Sequence, residues 1–119
     1  MPRTKDLTGS GFSPLQATSV TGALDPAVTA LGTTGPTAYL IGQPLTKVTT
    51  TAASTGVILP AINVTIGDQF EISNDGANTL TVYPPAGGTI DAAGSKTIAA
   101  ASWNIFQLWS ADGLTWKSK

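Results

Sequence analysis

The sequence predicts an all-β protein: an antiparallel sandwich or jelly-roll-like barrel over residues 38–119, preceded by an extended N-terminal arm over residues 1–37. Three observations carry this expectation. Beyond residue 37, short apolar segments recur at intervals of roughly 8 to 12 residues, separated by Gly, Pro, Asn and Asp. Inside them apolar residues alternate with a period of two, as Phe70 with Ile72 and Leu80 with Val82 do. Before residue 37, neither a period of 2 nor one of 3.6 survives among Thr, Gly, Ser, Ala and Pro.

The arm carries Pro2, Pro14, Pro26 and Pro36, too closely spaced for long regular elements. Isolated apolar residues punctuate it: Phe12, Leu15, Val20, Leu24, Val28 and Leu31. Asp25 followed by Pro26 has the form of a helix N-cap with proline at the first helical position, so a helical turn is expected over Asp25–Val28.

Strands are then expected in order. Ala38–Ile41 comes first, then Leu45–Thr51 as a half-exposed strand, then the apolar run Gly56–Leu59 closed by Pro60. Ile62–Ile66 places Ile62, Val64 and Ile66 on one face. The segment GDQFEISNDGANTLTVYPPAGGTIDAAG, residues 67–94, reads as a hairpin: two alternating strands flank Asn74, Asp75, Gly76 and Asn78, residue types that tolerate a tight reversal. Thr89-Ile90 and Ser95–Ala99 follow.

Ser102–Trp109 puts Trp103, Ile105, Gln107 and Trp109 on one face and Phe106 and Leu108 on the other. Large apolar groups on both faces predict cover on both. Ala111-Asp112-Gly113 then turns the chain so that Leu114–Trp116 pairs back.

Composition narrows function. At 119 residues with 41% apolar content the chain suits one domain. Only 11% of residues are charged, against roughly 25% in an ordinary domain, and Lys47 is the sole charge between Asp25 and Asp68. Such a surface is poorly protected against association, so cover by another subunit or protein is expected over the central third. A net charge of −1 offers no attraction to nucleic acid or anionic lipid. No apolar run approaches a membrane span, and no secretion signal opens the chain, so a protein made and used without export is expected.

The chain contains neither His nor Cys, which removes the usual nucleophile and base pairs and all thiolate metal sites. Its carboxylates sit mainly in turns beside Gly, Asn or Pro, where backbone geometry explains them. Asp68, Glu71, Asp75 and Asn78 carry oxygen ligands but match no EF-hand spacing, and solvated strand ends explain them better. No enzyme activity, cofactor or metal is therefore expected. Trp103, Trp109, Trp116, Phe106 and Tyr83 would suit a stacking platform for a sugar, but most are expected in the core.

From Gly56 onward the order of features resembles small β-structured proteins of tailed-bacteriophage virions, of the head decoration or head-fibre type. The residues that carry the resemblance are Gly56-Val57-Ile58-Leu59-Pro60, Gly67-Asp68, Asn74-Asp75-Gly76-Ala77-Asn78-Thr79-Leu80-Thr81-Val82-Tyr83-Pro84, Gly87-Gly88-Thr89-Ile90 and the Trp-containing final hairpin. The resemblance implies a virion structural protein. In such proteins a β-domain commonly trimerises and an N-terminal segment attaches it to the capsid.

The expected function is a decoration or cement protein, made in the host cytoplasm. It would bind the major capsid protein on the outer head surface as a homotrimer and stabilise the lattice. Its contacts are expected at Phe12, Leu15, Val20, Leu24, Val28, Leu31, Tyr39 and Leu40. The alternative is a receptor- or carbohydrate-binding module of a phage fibre or spike.

Overall fold

The computed structural model describes residues 24–119; Phe12, Leu15 and Val20 lie outside them. Ten strands follow one another: β1 Leu24–Thr29, β2 Tyr39–Leu40, β3 Leu45–Thr50, β4 Gly56–Ile58, β5 Gln69–Asn74, β6 Leu80–Tyr83, β7 Thr89–Ile90, β8 Lys96–Ile98, β9 Ser102–Leu108 and β10 Thr115–Ser118. One short 3₁₀ turn, Gly35–Thr37, lies between β1 and β2.

The first six strands alternate between two sheets. β1, β3 and β5 pair in parallel in one sheet, and β2, β4 and β6 pair in parallel in the other. The chain therefore winds β1–β2, β3–β4, β5–β6 as successive coils of a β-solenoid, which replaces the expected antiparallel sandwich or jelly roll. Parallel neighbours need a long crossover; here the crossover is a strand of the opposite sheet. Leu24, Leu45 and Glu71 stand level on the first sheet, as Tyr39, Val57 and Val82 do on the second.

The last coil is closed by antiparallel strands. β8 pairs with β6, β9 with β5, and β10 with β9 in the hairpin expected around Asp112-Gly113. The two-residue β7 completes the six-stranded sheet beside β10.

Three local expectations change with the topology. Leu24–Thr29 is a strand rather than arm with a helical turn, and its pairing with β3 places the folded body's start well before residue 38. Pro26 fits because β1 is an edge strand, where a missing N–H costs no ladder bond, and the register shifts between Asp25 and Val28. Residues 62–66 form no strand, since they carry the chain from the second sheet back to the first; Ile62 and Ile66 are exposed.

The third change concerns residues 74–78, which form a solenoid corner: β5 and β6 lie in different sheets and do not pair. Gly76 has no positive φ there. Glycine is required because a Cβ would stand 2.6 Å from the backbone nitrogen of Thr51 on the preceding coil.

The interior between the sheets holds Val28, Val48, Ile72, Phe106, Leu108 and Trp116 from one side and Val57, Leu59, Leu80, Val82 and Ile98 from the other, all at most 2% exposed. Trp116 packs against Phe70 with ring centroids 5.8 Å apart, and its indole N–H donates to the Gly113 carbonyl at 3.2 Å.

Three polar residues, Thr46, Thr51 and Asn74, are buried as well. Asn74 is fully buried, and its Oδ1 accepts from the Thr51 hydroxyl at 2.9 Å and from the Gly76 N–H at 3.1 Å. Its Nδ2 donates to the carbonyls of Asn78 at 2.8 Å and Ile98 at 2.9 Å. One amide thus ties the second coil, the corner and the closing strand β8.

Candidate functional site

Exposure divides the residues expected to make contacts. Leu24, Leu31 and Leu40 are 45%, 48% and 61% exposed, whereas Val28 is 2% exposed and belongs to the core. An inward-facing residue of β1 packs against β3, which removes Val28 as a contact. Tyr39 is half-buried; its hydroxyl donates to Asp25 Oδ2 at 2.6 Å, joining β1 to β2 across the first coil. That bond and the adjacent negative charge raise the phenol pKa above its ordinary 10.0.

Among the described residues the first coil is one end of the solenoid, because β1 and β2 are the outer strands of their sheets. Leu24 and Leu45 are register partners with outward side chains, and Leu45 is 42% exposed. Beside them Leu40, Pro44, Pro60, Ile62 and Phe70 line an apolar groove of about 460 Å³ at the turns that join the sheets.

A second surface lies on the outer face of the six-stranded sheet. The alternation in β9 holds, with Phe106 and Leu108 buried. The opposite face is not covered as expected, for Trp103 and Trp109 are 56% and 55% exposed. Trp116 and Phe106 are the aromatics that entered the core, and Tyr83 instead donates to the Thr33 carbonyl at 3.0 Å. Lys117 on β10 places its ammonium 5.5 Å from the centre of the Trp109 ring, and Gln107 donates to the Gly67 carbonyl at 3.2 Å.

Most carboxylates of the described residues are occupied locally. Asp68 accepts from the Thr65 N–H at 2.8 Å, and Asp75 takes the Ser73 hydroxyl at 2.7 Å and pairs with Lys47 at 3.7 Å. The Asp112 carboxyl is held below its usual range by the Ser110 hydroxyl and the Leu114 N–H. Asp91 is the most connected: the Ser118 hydroxyl and N–H and then Lys96, at 3.2 Å, hold its carboxyl below the ordinary range. It thereby fastens β8 and β10 to the turn after β7. Among the described residues no three carboxylates group as metal ligands, and no helix is long and apolar enough to cross a membrane.

Two surfaces therefore stand out, the leucine-rich first coil and the tryptophan face of β9. The first-coil leucines were legible as isolated apolar residues between turn signals, while the exposure of Trp103 and Trp109 was not, since alternation does not say whether an outer face is covered. Comparison with known protein families, with curated proteins and with solved structures finds no match to the chain.

Proposed function

We propose that the chain is a non-catalytic structural protein of a tailed-bacteriophage virion, a decoration protein that binds the major capsid protein on the outer head surface as an oligomer. The observation that supports this reading most is the apolar exposure around the first coil of the described residues. Leu24, Leu31 and Leu40 stand exposed around it with Leu45 beside Leu24, and apolar surface gathered at one end of a weakly charged body suits burial against a partner. Each subunit bridging neighbouring capsid proteins would add its contacts to those of its fellow subunits, so the assembly gains by multivalency. The lattice is then stabilised because the bound state must be left before it opens.

The test is co-sedimentation with empty heads. Changing Leu31 and Leu40 together to Asp, both outside the core, is expected to leave the circular dichroism spectrum intact and abolish binding. Undiminished binding by the folded double variant rejects this assignment of the contact surface, and no binding by the unaltered protein rejects the function.

A second reading is favoured by one observation, the exposure of Trp103 and Trp109 on the outer face of the six-stranded sheet. It makes the chain a carbohydrate-binding module of a phage fibre or spike. Trp116, fully buried, takes no part in it.

A further inference from the structure

We infer that the surface around Trp109 binds an acidic saccharide, with the indole as stacking platform and Lys117 as the group that selects negative charge; this rests on the carbohydrate-binding reading. The indole stands between two hollows. On one side Gln69, Ile105, Gln107, Lys117 and Lys119 join it around a groove of about 310 Å³. On the other, Ile66, Gly67 and Gln107 join it around a hollow of about 280 Å³. A sugar chain crossing the sheet would meet the ring at the ridge and a polar amide, Gln107, on both sides of it.

The chemistry of the lining selects the ligand class. An exposed indole offers a flat apolar face to the C–H face of a pyranose, and glutamine amides donate to and accept from hydroxyls. No Asp or Glu side chain lines either hollow, while two lysines line the larger one. Among the described residues the ion pairs use Lys47 and Lys96, and the Lys117 ammonium stands over the indole with no acidic partner among those residues. A cation kept beside a stacking ring, in a groove lined by no Asp or Glu side chain, is complementary to a uronate or sialate carboxylate. Trp103 lies on the same outer face but lines neither hollow.

Titrating the full chain with oligogalacturonate, oligosialic acid and a neutral galacto-oligosaccharide, by calorimetry and tryptophan fluorescence, tests this. Saturable binding is expected for at least one acidic probe, weakened by salt and about fivefold tighter than for the neutral one. Trp109→Ala is expected to lower affinity about tenfold. Lys117→Gln is expected to erase the preference for acid while leaving the neutral binding, and Trp103→Ala to change neither. Equal affinity for acidic and neutral probes overturns the inference and leaves the carbohydrate reading standing. Binding to none of the three overturns both. If Trp109→Ala, with an unchanged melting temperature, instead loses co-sedimentation with heads, the surface is a protein interface and the inference fails.

Discussion

Asn74 occupies a row of the interior that runs Val28, Val48, Asn74, and nothing in its sequence setting distinguishes it from a turn residue. Its two donors and its acceptor are all satisfied, so the amide costs little where it sits and much if replaced. Asn74→Leu removes four hydrogen bonds, those of the Thr51 hydroxyl, the Gly76 N–H and the Asn78 and Ile98 carbonyls, and should cost about 3–5 kcal/mol by chemical denaturation. Asp91 sets a different dependence. Its folded-state pKa is depressed, so its contribution is present above the ordinary carboxylate range and lost as pH falls through the folded value. Melting temperature should therefore drop on acidification below about pH 4, and Asp91→Asn should flatten that drop. An unchanged acid limb in the variant would place the sensitivity elsewhere.

At the level of elements, alternation identified most strands and the inner faces of two of them, Phe70 and Ile72 on β5 and Leu80 and Val82 on β6; on β9 it separated Phe106 and Leu108 from the tryptophans without saying which face is inner. It did not identify their partners. A hairpin turn and a solenoid corner both use Asn, Asp and Gly, and the deciding contact, Gly76 against Thr51, joins residues far apart in sequence. Strands with one polar face also suggest antiparallel pairing, which the coils do not obey. The candidate contacts were legible to the same extent: Leu31 and Leu40 are exposed, but Val28 was misread because β1 resembles an arm until its partner β3 is known. Edge position also explains Pro26, which interrupts the N–H row that another strand would need. Pro26→Val should restore that row and increase self-association measured by sedimentation velocity, with the monomer fold retained. No change in association would show that Pro26 has no protective role.

The whole molecule is a short stack with unlike ends. One end carries the leucines and the parallel edges of β1 and β2, and at the other the outermost strands are β7, parallel to β10, and β8, antiparallel to β6, of two and three residues. The melting temperature of the chain lacking residues 1–23 is the reference against which β1 is tested. A deletion extending through β1 should lower it sharply, since it exposes the inner surface of β3. Differential scanning calorimetry of the two truncations measures this difference.

The unlike ends also govern symmetry. Head-to-tail contact between copies would make an unlimited filament, whereas contact of like end with like end closes at two. Among the described residues, stacking through the first coil terminates in a pair, so an assembly of three would be built from the flanks of the stack, leaving that coil directed away from the symmetry contacts and toward a surface beneath.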